Sequence, residues 1–212
     1  MYLEKQTNIP VTYAFFETYI TSGDYMAIKI FIDQGHNPSG PNTGAEGNGL
    51  REQDITYIVG RYLYNLLINN GNFEVRLSRN TPTEVLGTSN STSLRERVRR
   101  ANEWPADYFI SIHVNGSTNP NANGTEGYVY ATETQSYYLA EHMVNAIVNR
   151  MGTQKRGVFA RPSLYVLRRT TMPAVLMELA YISNASDAEK LRDDPYGFAY
   201  AMYEGILVYF GL

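Results

Sequence analysis

Few residues in this chain are able to do chemistry, and their types narrow the possibilities at once. There are no cysteines and only three histidines, His36, His113 and His142. Thiolate metal sites, iron–sulfur clusters, disulfide scaffolds and cysteine nucleophiles are therefore excluded, and imidazoles and carboxylates remain as the strong ligands. His36 ends the stretch Asp33-Gln34-Gly35-His36, and His113 ends Tyr108-Phe109-Ile110-Ser111-Ile112-His113. With Glu52 they make a set of two imidazoles and one carboxylate, which suits zinc with a fourth position open to water. Zinc lowers the pKa of its water toward ~7 and polarises a carbonyl. Glu178 stands in the apolar run Val175-Leu176-Met177-Glu178-Leu179-Ala180. A carboxylate there is costly unless it is paired or used. Two roles stay open for it: an ion pair with an arginine, or a general base and acid whose pKa is raised by partial desolvation. The other residues also have plain structural alternatives, His113 as a polar cap on a strand and Glu52 as an acidic residue favouring a helix start. One carboxylate as ligand and one as base is a division that suits metal-assisted amide hydrolysis. The contiguous His-Glu-x-x-His helix signature is absent, so the ligands must come from separate elements.

Those elements read as alternating strands and helices. Residues 1–27 stand apart as an N-terminal strand or arm of unknown role, with β-like Val11–Phe16 before the turn formers Thr21-Ser22-Gly23-Asp24. Residues 28–212 read as one domain. Ile28–Asp33 is a buried strand, and Gln34–Gly49 is a loop holding five Gly, two Pro and three Asn. A helix follows over Arg51–Asn69, its apolar positions recurring at three and four. Phe73–Leu77 is a strand, and Ser93 reads as the N-cap of a helix to Glu103, with Glu96 completing a capping box. Asp107–His113 and Gly127–Ala131 are strands, and Ser136–Met151 is an amphipathic helix. Leu164–Leu167 and Ala174–Leu179 read as strands, Asp187–Leu191 and Phe198–Tyr209 as helices. The expected fold is α/β, a central mostly parallel or mixed sheet of about six strands with helices on both faces. Ligands in such sheets sit beyond the strand carboxyl ends. His36, His113 and Glu178 all fall there, and that agreement is worth more than any one of them.

Taken in order, Asp33-Gln34-Gly35-His36, Glu52, Ser111-Ile112-His113-Val114-Asn115 and Met177-Glu178-Leu179-Ala180-Tyr181-Ile182-Ser183-Asn184 resemble the zinc-dependent N-acetylmuramoyl-L-alanine amidases of the amidase type 3 family. Leu94, Arg97, Ala101, Asn102, Ala106 and Asp107 fit the family's helix before its second histidine, and Pro173-Ala174-Val175-Leu176 fits the approach to its catalytic glutamate. The resemblance runs from about Ile28 to the C-terminus. It implies His36, Glu52 and His113 as ligands to one zinc ion and Glu178 as the catalytic glutamate. It also implies cleavage of the amide between the lactyl group of N-acetylmuramic acid and the L-Ala of the stem peptide, outside the cell at the bacterial wall. The pattern departs from the family at Asn37-Pro38, where Gly-Gly is usual, and at Ala180-Tyr181, where Gly-Phe is usual. Rival readings are a carboxypeptidase-like zinc hydrolase of stem peptides and a non-catalytic wall-binding module.

Other candidates are secondary. Asp33 orients His36 or caps a strand. Asn115 contacts substrate or simply turns the chain. Arg79 and Arg168 meet stem-peptide carboxylates or lie solvated on the surface, and His142 is an exposed helix residue. Net charge is −3, which argues against a nucleic-acid partner. The basic stretch Arg95–Arg100 then reads as a solvated helix face. No run approaches the ~18 apolar residues of a membrane helix, and the opening MYLEKQTNIP carries no secretory signal pattern.

Overall fold

The structure is a computed structural model that describes residues 26–212; the expected strand at Val11–Phe16 and the turn after it lie outside the described residues. In chain order come β1 (Ile28–Gln34), the short β2 (Glu46–Gly47) and β3 (Leu50–Arg51), and α1 (Glu52–Asn70). Then follow β4 (Phe73–Leu77), α2 (Asn90–Glu103), β5 (Tyr108–Asn115), β6 (Thr125–Val129) and α3 (Gln135–Met151). The chain finishes with β7 (Lys155–Ala160), α4 (Tyr165–Arg169), β8 (Ala174–Tyr181), α5 (Ala185–Asp193) and α6 (Pro195–Phe210). Six strands form one sheet in the order β4-β1-β5-β8-β6-β7. β4, β1, β5 and β8 run parallel, β6 lies antiparallel to β8, and β7 is parallel to β6. The expected mixed α/β sheet is present.

The central strands are apolar runs because both of their faces are covered. Side chains alternate between the faces. Ile30, Ile32, Ile110, Ile112, Val175 and Met177 enter the larger core with α1, α3 and α6. Phe31, Phe109, Ala174 and Leu176 enter a smaller one with α2 and α4. Burying each such side chain fully is worth roughly 1.5–3 kcal/mol. The same alternation carries Asp33, Ser111, His113 and Glu178 onto the thinly covered face. The register pairs Asp33 with Ser111 and His113 with Glu178. A slip of one residue would send all of them into the larger core.

Two local expectations are corrected, and one strand is added. Leu164–Leu167 is not a strand: Arg168 N–H donates to Leu164 O at 3.1 Å, closing the turn of α4. Four apolar residues suit either state, and burial of Val166 and Leu167 against the smaller core decides for helix. The true strand nearby is β7, which exposes Lys155, Arg156, Phe159 and Ala160 and shows no alternation strong enough to read. α2 is capped by Ser89, not Ser93; Ser89 accepts from Thr92 N–H while Thr92 Oγ1 accepts from Ser89 N–H. Residues 88–93 offer several hydroxyl and amide side chains, and the reciprocating pair takes the cap.

Arg97 of α2 ties the polar face together. Its guanidinium is fully buried and donates to Asp33 Oδ1 and Gln34 O, both at 2.6 Å, and to His36 O at 2.6 Å. Arg97 is therefore no part of a solvated basic face, whereas Arg99 and Arg100 do pair with Glu96 near the surface. Removing one partner of a buried ion pair strands the other charge. Arg97→Met should cost on the order of 3–5 kcal/mol. Denaturant unfolding reads this directly, and a loss below about 1 kcal/mol would show that Asp33 finds other compensation.

Candidate functional site

His36 reaches the site from the loop after β1. Gly35 N–H donates to Ile112 O at 2.9 Å, pressing this loop onto β5. A Cβ on Gly35 would stand 2.6 Å from Ile112 O and from His113 Cε1, so the position requires glycine. His36 then adopts a left-handed backbone with φ 67°, a conformation in which histidine is enriched. Its Nδ1 lies 3.2 Å from Asn42 O. That leaves Nε2 as the nitrogen turned to Glu52, 3.1 Å from Oε1. Asp33 does not orient His36, contrary to one reading of the sequence. Its carboxylate is taken by Arg97 and by Ser111 Oγ at 2.8 Å, and these bonds outweigh the cost of burial and hold its pKa below the ordinary value.

Glu52 is the first residue of α1, and the backbone aims its carboxylate. Ala45 N–H donates to Oε2 at 2.8 Å and Val114 N–H to Oε1 at 3.0 Å. His113 Nδ1 lies 3.0 Å from the same Oε1. Burial pushes the Glu52 carboxyl up, but hydrogen bonds from His113 and His36 outweigh it and hold the group well below the carboxylate range. One donor atom from each of His36, Glu52 and His113 lies within 4.8 Å of the others. Ligands bound at about 2.0–2.2 Å to a shared zinc need spacings of this order. Two nitrogens and a carboxylate oxygen converging at one point are a donor set for a metal ion.

Glu178 opens onto the same cleft, which has a volume of about 560 Å³ and is also lined by Asn115, Ser117 and Ser183. Its Oε2 is buried without a hydrogen-bond partner among the described residues. The arginine pairing that was its structural alternative is not made. Burial, then the negative charges of Glu52 and Glu126, push its pKa well above the ordinary value. The four residues singled out from the sequence thus converge on one cleft, with two carboxylates in opposite electrostatic states.

The secondary candidates divide. Asn115 lines the cleft and donates to Glu126 Oε1 at 2.5 Å. Arg79 is neither solvated nor free for substrate: it is fully buried, donates to Gln53 O at 2.8 Å, and burial lowers its pKa to about 10. Arg168 is exposed on α4. His142 is half-buried against Tyr209, with ring centroids 6.2 Å apart, not exposed. Glu126 is the residue that sequence reasoning missed. It is a buried carboxylate paired with Glu178 across the β6–β8 ladder. Its signal was a lone charge inside the strand Thr125-Glu126-Gly127-Tyr128-Val129.

Comparison with known proteins places the chain in a family. Residues 30–208 match the family model described as N-acetylmuramoyl-L-alanine amidase. The N-acetylmuramoyl-L-alanine amidase LytC of Bacillus subtilis (strain 168) is 36% identical over 187 residues, covering 85% of this chain and 35% of that protein. The amidase CwlM of Bacillus licheniformis is 37% identical over 175 residues, covering 80% of this chain and 62% of that protein. The chain thus spans between about a third and two thirds of the length of these two relatives. The crystal structure of an N-acetylmuramoyl-L-alanine amidase from Clostridium difficile 630 aligns with TM-score 0.77 at 30% identity, covering 87% of this chain and 97% of that one.

The raised pKa of Glu178 has a consequence for stability. A carboxyl whose folded pKa lies above its unfolded value contributes fully below the unfolded pKa and loses that contribution as pH rises toward the folded one. At neutral pH Glu178 therefore opposes folding in metal-free protein. Glu178→Gln should raise the melting temperature of chelator-treated protein at pH 7 by roughly 2–4 °C, about 1 kcal/mol for a domain of this size. The gap should close below about pH 4, where the unfolded carboxyl is protonated too. Calorimetry across that range checks it, and a lower melting temperature at pH 7 would contradict the origin given for the shift.

Proposed function

This chain belongs to the N-acetylmuramoyl-L-alanine amidase family, and on that premise we propose that it hydrolyses the amide joining the lactyl group of N-acetylmuramic acid to the L-Ala of the stem peptide. The observation that carries the proposal is the convergence of His36, Glu52, His113 and Glu178 on one cleft. His36 Nε2, His113 Nδ1 and Glu52 Oε1 are assigned as the ligands of one zinc ion. Zinc, when bound, polarises a carbonyl and makes water more acidic.

The chain's own residues supply the rest. In the metal-free site His113 and His36 hold Glu52 anionic, and the backbone N–H groups of Ala45 and Val114 stay on its carboxylate whether or not a metal is bound. Glu178 is held with high proton affinity, as a group must be that takes a proton from water and passes it to the leaving amine nitrogen. The place of action is the bacterial wall, where this polymer lies. No helix among the described residues is long and apolar enough to cross a membrane.

Digestion of purified peptidoglycan, followed by mass spectrometry with and without a chelator, tests the reading. Free peptides beginning at L-Ala, released only when metal is present, are the expected outcome. Release of terminal amino acids instead would favour a carboxypeptidase. Glu178→Gln should keep stoichiometric zinc and lose about 10²- to 10⁴-fold in turnover, the usual share of a general base. His113→Ala should lose the zinc, because two ligands remain; elemental analysis showing one zinc per chain would remove His113 from the ligand set.

A further inference from the structure

We propose that Arg156 is the subsite for a carboxylate of the leaving peptide and that Glu126 holds it in place; this rests on the amidase reading above. The sheet order sets the direction. His113 is on β5, Glu178 on the next strand β8, Glu126 beyond it on β6 and Arg156 on β7. A group that hands a proton to the leaving amine must stand on the leaving peptide's side of the scissile bond. The leaving peptide therefore runs from Glu178 away from the histidines, over β6 toward β7. Arg156 is the cation on that path that is bonded to Glu126.

Glu126 is built as an anchor. It is 4% exposed, and its Oε1 accepts from Asn115 Nδ2 at 2.5 Å, Tyr128 OH at 2.9 Å and Tyr181 OH at 3.1 Å. Its Oε2 accepts from Arg156 Nε at 3.0 Å. Tyr181 comes within reach of Glu126 because the β5–β8 register skips from His113 opposite Glu178 to Asn115 opposite Tyr181, a bulge that re-aims the side chain. The guanidinium of Arg156 in turn sits 5.1 Å above the Tyr181 ring. One edge and one face of Arg156 are thus held, yet its side chain is 36% exposed. Beyond Glu126 its hydrogen bond is a long one, Nη1 to Asn123 O at 3.4 Å. Terminal N–H donors remain for an outside acceptor. A fork already fixed in this way loses little freedom on binding, and its planar geometry matches a carboxylate. Asn115 links this anchor to the cleft, since it bonds Glu126 and lines the same wall as Glu178.

The plain alternative is that Arg156 only neutralises buried Glu126, and the experiment separates the two. The substrates are an N-acetylmuramoyl dipeptide with a free carboxylate on its second residue and the same compound with that group as a primary amide. The zinc-loaded full chain is compared with Arg156→Lys, which keeps the charge without the fork, and with the charge-neutral pair Glu126→Gln/Arg156→Met, which strands no buried ion. The wild type should favour the free carboxylate by about 10- to 100-fold in kcat/KM, the range of hydrogen bonds to a charged group; Arg156→Lys should lower that ratio and the neutral pair should bring it close to one. A structural role would lower both rates together and leave the ratio at the wild-type value, which overturns the proposal. A wild-type ratio near one overturns it as well, while leaving the amidase assignment intact. Absence of cleavage of either compound and of peptidoglycan by the wild type would instead remove the amidase assignment, and this subsite with it.

Discussion

The buried contact between Arg97 and Asp33 is the constraint on which the site depends. Both side chains are out of water, and the guanidinium also takes the carbonyls of Gln34 and His36. A buried ion pair returns little net stability, because desolvating two charges offsets most of their attraction. Its value here is positional. The loop leaving β1 must turn at once, carry a histidine in the left-handed region and lie against β5 without a Cβ at Gly35. Arg97 satisfies the carbonyls that such a turn exposes, and α2 delivers it from the thinly covered face of the sheet.

Parity on the strands completes the arrangement. Residues two apart share a face, so Phe31 and Asp33, Phe109, Ser111 and His113, and Leu176 and Glu178 each combine packing with chemistry on one strand. The lower half of that face is filled by apolar side chains from α2 and α4, and the upper half carries the polar groups. Glu52 and Glu178 meet this surface in contrasting surroundings. Glu52 lies among N–H donors and imidazoles and stays ionised; Glu178 has an orphaned oxygen and two anionic neighbours and binds its proton tightly. Two like side chains acquire opposite proton affinities from environment alone.

Glu126 belongs to the same logic. Buried carboxylates need several donors, and this one gathers two tyrosines, an asparagine and an arginine from four strands: Asn115 on β5, Tyr128 on β6, Arg156 on β7 and Tyr181 on β8. Two of the chain's 18 tyrosines thus serve as hydroxyl donors to a buried carboxylate beside the cleft.

What the sequence determined by itself was the donor set and the order of the elements. A chain without cysteine and with three histidines leaves few ways to hold a transition metal, and Glu178 in an apolar run announces its own cost. Continuous apolar runs placed β1, β5 and β8, and helical periodicity placed α1 and α3, each to within a residue or two, because buried elements must carry such patterns. Where burial is one-sided or slight the reading failed: β7 has almost no apolar pattern, α4 is too short for a period, and a run of hydroxyls offers several caps. Arg79 and Arg97 show the sharper limit. Both read as surface charge, and both are fully buried, since only the packed arrangement supplies the carbonyls and the carboxylate that satisfy a guanidinium. Whether Asp33 faces His36 or Arg97, and whether Glu178 finds a cation or another carboxylate beside it, depends on which strands become neighbours. Sheet order brings together residues far apart in the chain, and no local pattern encodes it.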